Sequence, residues 1–119
     1  MHPFVVLHHK MPNGHARSDH WDLMLREDGV LKTWALDRFP FENMTCNAAQ
    51  LPDHDLKYLT YEGPIAGDRG EVKRIVKGSY CWLKYSQSDT CVAQFEFDSE
   101  TWTMTLANAR AQEIRFKRT

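Results

Sequence analysis

The chain has 119 residues, 42% of them hydrophobic and 26% charged, with a formal net charge of −1 at pH 7. That length supports one hydrophobic core without staples, so residues 1–119 are expected to form a single domain. The near-neutral balance excludes a broad electrostatic grip on nucleic acid, though not a local basic patch, and no apolar run approaches the roughly 20 residues of a membrane span.

The opening segment "MHPFVVLHHK" lacks the apolar core and small-residue cleavage site of a secretory signal. Three cysteines, Cys46, Cys81 and Cys91, form an odd set without metal-ligand spacing and read as reduced thiols. The expected setting is therefore cytoplasmic, away from membranes, and the expected state is a monomer.

In chain order, "FVVLHHK" is apolar and β-branched and predicts a first strand. "MPNGHARSD" carries turn chemistry at Pro12, Asn13 and Gly14 and predicts a loop. "HWDLMLRE" and "VLKTWAL" predict two strands joined at Asp28-Gly29, a strong hairpin signal. The stretch "DRFPFENMTCNAAQLPDHD" holds two prolines and no period, so it is expected to be irregular, with room for a short helical turn. "LKYLTYEG" predicts a short strand and "PIAGDRG" a turn. "EVKRIVKG", "SYCWLKYS", "CVAQFEFD", "WTMTLANA" and "EIRFKRT" complete the set of strands. Turns recur about every ten residues with no long helical period, the pattern of an all-β sandwich or barrel. A small closed or nearly closed antiparallel barrel is preferred, because so many strands in one small domain would otherwise leave long edges.

Five of the six histidines lie within the first twenty residues: His2, His8, His9, His15 and His20. Strand alternation puts His20, Asp22 and Met24 on one face of the second strand, with Trp21, Leu23 and Leu25 on the other. A first-strand histidine beside this His-x-Asp can bring two imidazoles and a carboxylate to one point. Two nitrogens and an oxygen with open positions suit Mn, Fe or Zn. His9 is preferred to His8 as the third ligand, although spacing does not set the parity of the first strand. On spacing alone, a second reading stays open, in which His20 and Asp22 only hydrogen-bond across a solvated face. His2 and His15 are expected in solvent. Arg17 sits in the loop before His20 and can reach an anion. His54 is a candidate acid or phosphate contact and Tyr58 a phenolic donor, with ordinary structural roles equally open for both. Lys73, Arg74 and Lys77 fit an exposed strand edge, or a contact to a phosphate backbone. Trp34, Trp82, Phe95 and Trp102 are expected in the core.

The order "FVVLHH", turn, "HWDLMLREDGVLKTWAL", then "LPDHDLKYLTYEGPIAGDRGEVKRIVKGSY" resembles the phosphoesterase domain of bacterial DNA ligase D. That family has a strand ending in histidine and an H-Y-D-F-R-L-E-x-D-G-V-L-x-S-W-A stretch. D-H-x-x-x-Y, (F/Y)-E-G-x-I and G-x-V-x-x-W-x-x-G-x-Y follow. The resemblance runs from Phe4 to Trp82, and the last third matches only as strands. It implies a small closed β-barrel with a divalent metal, typically manganese, in its mouth. It implies trimming of 3′ ends of DNA or RNA primers, with removal of a terminal ribonucleoside and then a 3′-phosphate. Carried over by position, the implied metal ligands are His9, His20 and Asp22, the phosphate-handling histidine is His54, and the tyrosine is Tyr58.

Two positions depart from the pattern. Met24 stands where the family has an arginine, and a second phosphate-contacting arginine aligns with Cys46. The loop between His9 and His20 is also longer, by about five residues on this alignment. Arg17 in that loop, or Arg69 in "GDRGE", is the candidate replacement for the missing charge. Losing bidentate phosphate contacts weakens transition-state stabilisation. The alternative to an enzyme is thus a barrel that binds metal or nucleic-acid ends without turnover. A non-haem iron oxygenase is a third reading of His-x-Asp plus a distant histidine.

Overall fold

Eight strands wind into one closed antiparallel barrel in the structure, a computed structural model that describes residues 1–119. They are β1 (His2–Lys10), β2 (His20–Glu27), β3 (Val30–Leu36), β4 (Met44–His54), β6 (Glu71–Lys84), β7 (Cys91–Phe97), β8 (Glu100–Leu106) and β9 (Glu113–Arg118), with the two-residue β5 (Gly63–Pro64) added against the start of β6. The order around the barrel is β1-β2-β3-β4-β9-β8-β7-β6, and β6 pairs back onto β1 to close it. Closure removes the long edges that eight open strands would expose. No helix is long and apolar enough to cross a membrane.

Every strand of the ring sends side chains into the lumen. Phe4, Val6, Leu23, Leu25, Trp34, Leu36, Cys46, Tyr80, Phe95, Trp102, Met104, Ile114 and Phe116 form one buried cluster there. Phe41 caps it, its ring 5.9 Å from Phe4 and 5.6 Å from Phe95. The lumen is thus packed with aromatic rings and leaves no channel.

A second, smaller layer lies outside the barrel. Val5, Leu7, Met24, Leu31 and Val72 point outward from β1, β2, β3 and β6, yet they are buried. Leu56, Tyr58, Leu59, Tyr61 and Ile65, from the segment between β4 and β6, cover them. This explains the unbroken runs "FVVL" and "LML": a strand enclosed on both faces needs apolar residues at every position.

The hairpin of β2 and β3 and the strands β7, β8 and β9 form where the sequence predicts them. Three segments differ. The supposedly irregular stretch contains β4, whose first half pairs with β9 and second half with β3. Its Asn, Ala and Pro residues carry little strand propensity, and pairing with β9 along the first half and β3 along the second imposes the conformation. Pro52 is tolerated because the β3–β4 ladder has an irregularity there: Leu31 and Thr33 face His54 and Leu51. The segment "LKYL" is a 3-10 turn and not a strand, capped by the Asp55 carboxylate, which accepts from the Lys57 amide. Its spacing of Leu56 and Leu59 suits a three-residue period that presses both onto the outer layer. Finally, "EVKRIVKG" and "SYCWLKYS" are one strand of 14 residues. Gly78 does not break it, because the lack of a side chain lets the Glu96 carbonyl and the Phe4 ring approach.

Candidate metal centre and its cavity

Pairing sets the site. His9 faces His20 across the β1–β2 ladder, and Leu7 faces Asp22. The side chains of His9, His20 and Asp22 leave the sheet on the outward face, with Leu7 and Met24, and all three are buried. The resemblance implied a site in the barrel mouth. The structure places the three residues on the outer wall instead, beneath the segment between β4 and β6. The cause is parity, since the inward positions at this end of β1 and β2 are His8 and Trp21. Those two rings stack at 4.8 Å with 25° between their planes, so His8 is not available to the cluster.

Both imidazoles spend one nitrogen on the backbone. His9 Nε2 donates to the carbonyl of Arg69 at 2.6 Å, and His20 Nδ1 donates to that of Ser18 at 3.1 Å. A carbonyl can only accept, so these partners assign the tautomers. The remaining nitrogens, His9 Nδ1 and His20 Nε2, lie 3.2 and 3.3 Å from the two oxygens of Asp22. Neutral imidazoles would then present lone pairs to a carboxylate, an arrangement that only a cation or a proton relieves. His20 Nε2 and Asp22 Oδ1 are buried without a hydrogen-bond partner. The three ligand atoms lie within 4.8 Å of one another. This donor set fits a divalent metal, with each histidine braced on its far nitrogen as metal-binding histidines are.

Without metal, protons and charge share the work. Burial alone would raise the Asp22 pKa, but the facing imidazoles outweigh it and hold the carboxyl at about 2, below its usual 3.8. The hydrogen bond with Asp22 raises the His9 pKa above 6.5 against its burial, and the Arg69 carbonyl adds to the rise.

The cluster forms one wall of a cavity of about 380 Å³. His54, Tyr58, Arg17 and Arg69 line the same cavity, so it gathers all seven candidate residues of the sequence. His54 reaches it because the irregular ladder at Pro52 puts both Leu51 and His54 on the outward side. Its Nδ1 donates to the Pro52 carbonyl at 2.8 Å, which leaves Nε2 for a ligand. The His54 and Tyr58 rings stand edge to face, 5.8 Å apart. Arg17 enters from the β1–β2 loop, whose ends are tied by the Met11 amide donating to Asp19 at 2.8 Å. Arg69 Nε donates to the Ala66 carbonyl at 2.7 Å. Neither arginine belongs to an ion pair.

Met24 lies in the cavity wall, on the face where strand alternation puts it. Cys46 does not. It is fully buried in the barrel lumen, its Sγ 4.0 Å from the Arg38 carbonyl, and burial pushes the thiol up to about 11. A side chain there points into the aromatic core, so Cys46 is no vacated phosphate contact of this site. The basic set on β6 also separates: Lys73 and Lys77 are exposed, while Arg74 Nη1 donates to the Leu59 carbonyl at 2.7 Å. Arg74 latches the covering segment to the barrel. His15, expected in solvent, is exposed but also lines the cavity, and its Nδ1 accepts from the Arg17 amide at 2.9 Å. The unusual length of the loop was the signal for it. The backbone carbonyl of Arg69 carried no signal in the sequence.

Residues 12–116 match the family model described as the DNA Ligase D 3′-phosphoesterase domain. The match starts later than the motif resemblance, runs through β7 and β8 and ends within β9. The multifunctional non-homologous end joining protein LigD of Mycobacterium bovis is 39% identical over 87 residues, 69% of this chain and 11% of the relative. A multifunctional non-homologous end joining DNA repair protein LigD of Mycobacterium tuberculosis shows the same identity and coverage. This chain thus spans about a tenth of the length of the curated relatives it matches. The barrel, the motif order and the match over most of the chain agree: this protein belongs to the DNA ligase D 3′-phosphoesterase domain family.

Proposed function

We propose that this protein is a metal-dependent phosphoesterase that processes 3′ ends of nucleic acid, a DNA or RNA primer, removing a 3′-phosphate or a terminal ribonucleoside. The observation that carries the reading is the convergence of His9, His20 and Asp22, with buried unpartnered atoms, in a cavity that also holds His54, Tyr58, Arg17 and Arg69. His9 Nδ1, His20 Nε2 and one Asp22 oxygen would hold a divalent ion, manganese first and zinc or iron as alternatives. Such an ion, when bound, polarises a phosphoryl oxygen and lowers the pKa of a coordinated water.

The chain's own groups do the rest. Arg17 and Arg69 bring two positive charges to a cavity whose one carboxylate, Asp22, already faces two imidazoles. That balance favours an anion. His54, its Nδ1–H held by the Pro52 carbonyl, acts in its imidazolium form, whose Nε2–H donates to the phosphate or protonates the leaving oxygen. Tyr58 orients the ester by hydrogen bonding. The apolar walls, Leu7, Met24, Leu51, Ile65 and Val72, exclude water around the reacting group.

The test is release of phosphate or nucleoside from 3′-phosphorylated and 3′-ribonucleotide primers. Release is expected with Mn2+, none after chelation, and none with His20→Ala. Turnover that survives both treatments removes the proposal. Met24, apolar and buried in the wall where the family has an arginine, favours a second reading. In it the protein binds a 3′-phosphorylated end and turns nothing over, and tight primer binding without product over hours decides for it. Membership in a phosphoesterase family favours both over oxygen chemistry, and a ferrous-dependent oxygen-uptake assay is expected to read zero. A cytoplasmic monomer with one domain is the setting that accompanies this proposal.

A further inference from the structure

The turn before β6 touches the cluster through its backbone. Its hydrogen bond from the Ile65 amide to the Gly70 carbonyl, 2.8 Å, closes residues 65–70 into a tight loop. Gly70 has φ +79°, a conformation that disfavours a side chain, and a Cβ built there would overlap the carbonyl oxygen of Lys10 and sit 3.1 Å from the Met11 Cα. The missing side chain therefore lets this turn lie against the end of β1. The residue before Gly70 is Arg69, and its carbonyl accepts from His9 Nε2 at 2.6 Å.

We infer that Gly70 is a positioning residue: by seating the Arg69 carbonyl on His9 Nε2, it makes Nδ1 the nitrogen that His9 offers to a metal. The cluster is then asymmetric. His9 binds through Nδ1 and His20 through Nε2, because their second nitrogens are claimed by Arg69 and Ser18 respectively. The Ser18 carbonyl is two residues from His20 on the same chain segment, so it is a local brace. The Arg69 carbonyl is sixty residues from His9 and is brought to it by the turn that leads into β6, whose Glu71 and Val72 pair with Lys10 and His9. Metal affinity thus depends on how that turn sits against the end of β1. A displaced turn frees Nε2, lets the imidazole rotate and weakens the site.

The inference rests on reading His9, His20 and Asp22 as metal ligands, and its test separates the two. Long-range 15N–1H spectra of the imidazoles would be recorded on the whole protein, metal-free and titrated with Zn2+ as a diamagnetic probe. The expected result is a protected Nε2–H on His9 in both states, with Zn2+ shifting His9 Nδ1 and His20 Nε2. Zn2+ on His9 Nε2 overturns the inference and leaves the metal site standing; no shift on either ring overturns both. Gly70→Ala is expected to weaken Zn2+ binding about 10- to 100-fold, the usual effect of removing such a brace. Gly14→Ala is the control, because Gly14 has φ +77° with nothing within 4 Å of a built Cβ. It carries a similar backbone strain and is expected to bind Zn2+ as the parent does. Equal affinity in Gly70→Ala and the parent overturns the inference. If Gly70→Ala does not fold, the nitrogen identified in the parent decides alone.

Discussion

At the scale of single residues, the Asp22 carboxylate organises the site, since one side chain faces both imidazoles. The same contacts make the metal-free protein sensitive to pH. Asp22 has its pKa depressed to about 2, so its contribution to stability is present above its usual 3.8 and is lost as pH falls toward 2. His9 has its pKa raised, so its contribution is complete below the usual 6.5 and is lost as pH rises through the raised value. Both operate fully between about 4 and 6.5, and thermal melts of chelated protein are expected to be highest there. His9→Ala should remove the decline on the alkaline side of that window. Melts of His9→Ala that keep the same alkaline decline would assign it to another group. His9 and its partners also show how much of a residue's role the chain reveals by itself. The choice of His20 and Asp22 followed from alternation along eight residues of one strand. The choice of His9 over His8 needed the phase of β1 relative to β2, which is a property of two strands together.

At the scale of elements, the covering segment between β4 and β6 is the part that makes a wall into a site. It is held by three devices: Leu56, Leu59 and Ile65 on the outer apolar layer, the Arg74 guanidinium on the Leu59 carbonyl, and the Glu62 carboxylate accepting from the Arg74 amide at 2.9 Å. Arg74→Ala removes the charged donor and leaves that carbonyl to water. The expected cost is about 1.5–3 kcal/mol, the range for a hydrogen bond to a charged group. It should fall on local opening and not on global unfolding. Amide exchange at 57–61 is expected to accelerate while exchange in the barrel lumen stays as it was. Equal acceleration in both would show that cover and barrel open as one unit. The fold of this segment is the least legible in the sequence. "LKYLTYEG" has the apolar content of a strand, and only the outer layer it lies on shows why Leu56 and Leu59 need a three-residue spacing. The neighbouring β4 was hidden for the opposite reason, because its residues have weak strand propensity and pairing with β3 and β9 supplies the strand.

At the scale of the whole molecule, the barrel is the rigid support, and a metal held as proposed would be a further stabiliser. Trp34 is a large, fully buried lumen side chain, and Trp34→Ala is expected to cost about 3–5 kcal/mol as a core cavity. It lies on the opposite side of the sheet from the cluster, so any loss of Zn2+ affinity should track the unfolded fraction. A metal that binds only the folded chain stabilises it by about 2.7 kcal/mol at a hundred times its Kd, or roughly 10 °C in Tm for a domain of this size. Scanning calorimetry with Mn2+ or Zn2+ is expected to show that rise in the parent and none in His20→Ala. A rise retained in His20→Ala would move the ion elsewhere in the fold.

The sequence by itself determined the class of fold and named the candidates for the site. Period-two alternation and frequent turns specify strands because side chains on a strand alternate between faces, and alternation with the motif order nominates His9, His20 and Asp22 as candidate ligands. Tertiary structure decided where that site lies. His9, His20 and Asp22 stand on the outer wall and not in the barrel mouth, since closure spends the inward face of every strand on the aromatic lumen. Tertiary structure also decided that Cys46 belongs to that lumen, and that Pro52 turns His54 toward the cavity. The physical reason is the same throughout. Alternation along one strand says which residues share a face, but which face becomes core, and what covers the other, is set by contacts between residues far apart in the chain.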